Sequence, residues 1–154
     1  MSLAIETLLT PAAGHPAQRT VEQQDQRLNI AVVFTSVEST LAALEEAGTL
    51  AQSLGAQITL LVPQVVPYPL PLESPPVLVD FSEKRFHVIA RQSRVETKVC
   101  IYLCRDQLET LMSALRPGSI VVIGGRKRWW PTREAGLAHK LRKAGHEVFF
   151  KETE

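Results

Sequence analysis

The chain is expected to fold as an α/β domain around a central parallel sheet. Short apolar runs suited to buried strands alternate along it with segments in which apolar residues recur every three or four positions. Helical connections between strands imply right-handed crossovers, which leave successive strands parallel. With 154 residues there is enough chain for one domain with a proper core. A composition of 45% hydrophobic and 21% charged residues is that of an ordinary globular protein.

The elements follow in order. Residues Met1 to Arg27 hold Pro11, Gly14, Pro16 and a polar run from Glu22, and read as a flexible N-terminal arm (1–27) ahead of the folded domain (28–154). Asn29 to Phe34 is an apolar run fitting a strand buried on both faces. Thr35 and Ser36 end it and can cap a helix. That helix carries Leu41, Leu44, Ala47, Leu50, Ala51 and Leu54 as its stripe, and Gly55 falls where a left-handed C-terminal residue belongs. Gln57 to Val62 is a second strand. Six prolines between Pro63 and Pro76 argue against regular structure there. A helix from about Val77 to Arg91 is expected to turn Val79, Phe86, Ile89 and Ala90 inward. Val95 to Leu103 is a third strand, and Asp106 to Leu115 a helix with Leu108, Leu111, Met112 and Leu115 inside. Ser119 to Ile123 is a fourth strand, Pro131 to Ala144 a last helix ended by Gly145, and Glu147 to Lys151 a fifth strand.

Charge and reactive residues exclude several functions. A formal net charge of +1 argues against a protein that coats nucleic acid. No apolar stretch reaches the length of a membrane span, and no basic segment opens the N-terminus as a secretory signal would, so a cytosolic location is expected. Cys100 and Cys104, on one strand, would stand roughly 13 Å apart, too far for a disulfide or a shared metal, and read as buried thiols. His15, His87, His139 and His146 have no metal-ligand spacing and read as surface or helix-face residues. Without a nucleophile elbow or a Walker loop, no catalytic residue is assigned.

One stretch carries ligand chemistry. Ser119 to Trp130 reads Ser-Ile-Val-Val-Ile-Gly-Gly-Arg-Lys-Arg-Trp-Trp, an apolar strand meeting two glycines and then three cations. Strand, glycine turn and helix N-terminus together gather backbone N–H groups around an anion, and the cations make a phosphate the natural ligand. In parallel sheets ligands bind beyond the C-terminal strand ends. Thr35 and Ser36, Val62 and Pro63, Gly124, Gly125, Arg126, Lys127, Arg128 and Thr132 are therefore the candidate ligand-binding set. Of the paired indoles, packing predicts one against the last helix and the other partly exposed.

From Leu28 to Phe150 the chain resembles the universal stress protein family. The likeness lies in the βαβ unit Ile30-Ala31-Val32-Val33-Phe34-Thr35-Ser36-Val37-Glu38-Ser39, running on to Leu54-Gly55-Ala56-Gln57-Ile58-Thr59-Leu60-Leu61, and in Leu115-Arg116-Pro117-Gly118-Ser119-Ile120-Val121-Val122-Ile123-Gly124. The resemblance implies a three-layer sandwich with a five-stranded parallel sheet in the order 3-2-1-4-5. It also implies a homodimer joined through the last strand, and ATP or another nucleotide as the ligand class. ATP-binding members place an aspartate near the end of the first strand, where this chain has Phe34. They also carry Gly-x2-Gly-x9-Gly-Ser/Thr, of which Gly124 supplies the first position while Lys127 stands at the second. Two functions follow as expectations. The first is non-enzymatic sensing or signalling that holds a phosphate-bearing small molecule. The alternative is an interaction module with a closed crevice, working through homodimerisation, in which Phe34 fills the nucleotide space and the prolines drape over it.

Overall fold

A computed structural model describes residues 2–9, 28–73, 75, 77, 79–93 and 95–154. Its elements are β1 (Ser2–Leu9), β2 (Asn29–Val33), α1 (Val37–Leu54), β3 (Gln57–Val65), α2 (Val79–Ala90), β4 (Thr97–Cys104), α3 (Gln107–Ala114), β5 (Ile120–Arg126), α4 (Arg133–Lys143) and β6 (Glu147–Thr153). Strands β2 to β6 are mutually parallel, and in space they run β4-β3-β2-β5-β6. That is the expected five-stranded 3-2-1-4-5 sheet.

The inner parallel strands β2 to β5 are largely buried on both faces, which explains their apolar runs, while the edge strand β6 is mostly exposed. Ile30 and Val32 of β2 point to one side, where they join Leu44 and Ala47 of α1 and Phe86 and Ile89 of α2. Ala31 and Val33 point to the other, among Leu111 of α3 and Ala138 and Leu141 of α4. The three layers are thus a sheet with two helices on each side. Ser36 caps α1 by accepting from Ser39 N, and Gly55 ends it in the left-handed region at φ 64°. Two stripe residues named above face out instead: Leu54 and Met112 are exposed at the helix ends. His146, expected at the surface, is buried.

Two corrections to the element list have physical causes. Ser2–Leu9, expected as part of a flexible arm, is a sixth strand, pairing antiparallel with β4 from Ser2↔Cys104 to Leu9↔Thr97. It covers what would otherwise be the bare edge of the sheet. The rest of the expected arm, residues 10–27, lies outside the described residues. The second departure is Pro63, expected to stand outside regular structure but found within β3. Gln57 N donates to Leu28 O and Phe34 N to Leu61 O, so the odd residues of β3 face β2. The last β2 residue paired with β3 is Val33, opposite Leu61. The N–H that Pro63 lacks would therefore have faced a side that β2 no longer occupies.

Candidate functional site

The two corners singled out in the sequence converge at one rim of the sheet. Thr35 Oγ1 donates to Gly124 O at 2.8 Å, so the turn after β2 is tied directly to β5. Thr40 Oγ1 accepts from Thr35 N at 3.1 Å and holds the same turn from inside α1. Ser39 Oγ stands 3.2 Å from Thr153 Oγ1, which donates in turn to Gly125 O at 3.3 Å. The rim is a chain of hydroxyl contacts linking β2, α1, β5 and β6.

The glycines at its centre do not form a turn. Strand β5 continues through Gly124 and Gly125 to Arg126, level with Lys151, Glu152 and Thr153 of β6. Neither glycine has positive φ. Their smallness serves close packing instead. A Cβ on Gly124 would collide with the Ser39 carbonyl in the first turn of α1. One on Gly125 would come within 2.6 Å of the Phe150 ring and 3.0 Å of Glu134 Cβ. The space that a phosphate-binding turn would leave open is filled by helix backbone on one side and an aromatic ring on the other.

The remaining candidates are largely occupied as well. Ser36 and Thr132 are helix caps, accepting from Ser39 N at 3.3 Å and Ala135 N at 3.2 Å. Arg126 is paired with Glu38 at 3.2 Å, with both side chains mostly exposed, an arrangement that contributes little to stability. Val62 is buried and Pro63 lies in the strand. Phe34 sits half-buried where the resemblance would place an aspartate. It meets the Phe86 ring edge-on at 4.8 Å, while the Arg85 guanidinium lies 5.9 Å from Phe34 and 5.7 Å from Phe86. Lys127 and Arg128 are exposed. The rim therefore joins Thr35 to Gly124 and Thr153 to Gly125, while Ser36 and Thr132 serve as helix caps and Lys127 and Arg128 face solvent.

Sequence reasoning missed what organises the proline segment. Arg105, just after β4, donates to Val66 O and to Leu70 O, each at 2.7 Å, and its guanidinium lies 4.1 Å from the centre of the Tyr68 ring. Val66 and Leu72 bury themselves against Leu103. The segment is thus pinned over the end of β4, and nothing local in the sequence linked Arg105 to it. A surface groove lies away from this rim, between α1 and the turn after α2, with Leu41, Glu45, Gly48, Gln52 and Gln92 among its walls. Among the described residues, no cluster of three or more His, Cys, Asp or Glu could hold a metal ion, and no helix is long and apolar enough to cross a membrane.

Both cysteines are buried thiols on β4. Burial pushes the Cys104 thiol above the ordinary range, and the Asp106 charge pushes the same way against a hydrogen bond with Thr110. Neither tryptophan is buried. Trp129 is 91% exposed and Trp130 46%, in edge-to-face contact at 5.0 Å.

No protein-family model and no curated protein matches the chain.

Proposed function

We propose that the protein is a non-enzymatic interaction module of universal-stress-protein type, working in the cytosol, whose nucleotide crevice is closed. The observation that carries this reading is the filling of the two glycine positions by the Ser39 carbonyl and the Phe150 ring. The Phe34–Phe86 contact supports it, since in a crevice of the family's kind apolar surface at this point would leave a ribose or adenine edge without polar partners.

Homodimerisation through β6 is the second half of the proposal. Glu147 N donates to Ser119 O and Thr153 O accepts from Lys127 N, so the odd residues of β6 face β5. The backbone groups of Val148, Phe150 and Glu152 then point outward. Arg142 donates to Val148 O through Nε at 3.2 Å and Nη2 at 2.9 Å, blunting that end of the edge. Phe150 and Glu152 are left to pair with a second copy across a two-fold axis.

Two measurements test the halves separately. Thermal unfolding with millimolar ATP, ADP, AMP or inorganic phosphate should leave the midpoint unchanged. A ligand at a hundred times its Kd would stabilise by about 2.7 kcal/mol, and any such shift would return the protein to the nucleotide-sensing reading. Sedimentation at micromolar concentration should give a dimer mass, and Glu152→Pro should give a monomer. A monomeric wild type would end the dimer proposal and leave the closed crevice untouched.

A further inference from the structure

The loop from Lys127 to Thr132 carries the most exposed large apolar side chain among the described residues, Trp129, beside the half-exposed Trp130. Two adjacent indoles in water expose an unusual amount of apolar surface for a loop whose backbone is anchored at both ends. Lys127 N donates to Thr153 O at 2.8 Å at its root, and the Thr132 cap starts α4 at its exit. Cations surround the indoles. Lys127, Arg128 and Arg133 are exposed, and the Arg128 guanidinium lies 5.2 Å from the centre of the Trp130 ring. Four carboxylates lie on the neighbouring elements: Glu38 pairs with Arg126, Glu134 packs beside Gly125, and Glu152 and Glu154, both exposed, stand at the root, opposite the three exposed cations of the tip.

We infer that this indole tip is a docking surface for the anionic headgroup layer of a lipid membrane. Tryptophan is suited to that boundary because its ring is apolar while its N–H stays hydrated. Cations beside it meet the negative surface potential, each worth about a five-fold gain in binding at low salt. Single-stranded nucleic acid is a poorer match. It needs successive stacking faces along a basic groove, whereas here Arg128 stands over Trp130 and the two rings meet at 72°. The inference draws on the exposed side chains of the loop and not on the packing at Gly124 and Gly125, so it does not rest on the proposed function.

The chain's two tryptophans are both in this loop, so its indole emission reports on the tip alone. Phosphatidylcholine vesicles containing phosphatidylglycerol should shift that emission to the blue and carry the protein down on sedimentation. Phosphatidylcholine alone should do neither, and added salt should weaken the effect. Lys127→Ser with Arg128→Ser should lower the partition coefficient roughly thirty-fold. Trp129→Ala with Trp130→Ala should abolish sedimentation. Far-UV circular dichroism and an unchanged thermal midpoint would show that these exposed-site variants remain folded. No shift with anionic vesicles, sedimentation that survives loss of both indoles, or an emission change with oligouridylate but not with vesicles would each overturn the inference.

Discussion

Gly124→Ala separates a packing glycine from a ligand-binding one. In the folded chain the added methyl would overlap the Ser39 carbonyl, a backbone atom in the first turn of a helix whose capping and burial fix its position. Relief requires β5 and α1 to move apart, disturbing the contacts of Ala43, Leu44 and Ala47, all buried within 1% of full burial. Overpacking typically costs 1–3 kcal/mol, and a clash with backbone belongs at the upper end, about 3 kcal/mol. For a domain of this size that is a fall in Tm of roughly 6–12 °C. The assay is urea and thermal unfolding followed by far-UV circular dichroism, since the exposed indoles make poor reporters of the core. Gly136→Ala is the internal control. Nothing lies within 4 Å of a Cβ there, so exchange within α4 should be neutral or stabilise by up to about 1 kcal/mol. A Gly124→Ala protein as stable as wild type would refute the packing argument. Lost phosphate binding at unchanged stability would point instead to a ligand role.

Three further outcomes are expected. Thr35→Val removes the hydroxyl that bonds Gly124 O and should cost about 1 kcal/mol; an unchanged urea midpoint would show that the tie between the two corners is not stabilising. Arg105→Gln loses at least one of the two guanidinium bonds to Val66 and Leu70, so limited proteolysis should open sites near Tyr68 at low protease, and a digestion pattern like that of wild type would count against the clamp. Because the folded state raises the Cys104 thiol above its unfolded value, the thiol stays protonated in the native chain while the unfolded chain has released its proton. Its contribution is therefore complete below the ordinary thiol pKa and is lost as pH climbs through the folded value. Cys104→Ala should flatten that alkaline decline, measured by denaturant unfolding at stepped pH, and an equally steep decline would assign it to other groups.

Which parts of the fold could be read in advance follows from the range of the forces involved. The run Ile30 to Val33, the stripe Leu44, Ala47 and Ala51, and Gly55 at the helix end act within a few residues of one another, so periodicity and capping chemistry exposed them. Ser36 as a cap was legible for the same reason. The candidate site was legible only as a location. Thr35 and Gly124 were expected at one rim and are joined there, yet whether the rim is open depended on atoms far along the chain.

The local sequence alone determined the alternation of buried strands with amphipathic helices, because apolar spacing and caps specify elements without reference to distant partners. Tertiary structure decided the rest. Ser2–Leu9 became a strand because β4 offered an edge, Pro63 could remain in one because β2 had already ended, and Gly124 and Gly125 became packing glycines because Ser39 and Phe150 arrived against them. Each of these outcomes depends on which groups meet after the chain has crossed from one face of the sheet to the other. Loop closure brings such groups together without leaving any periodic mark in the residues themselves.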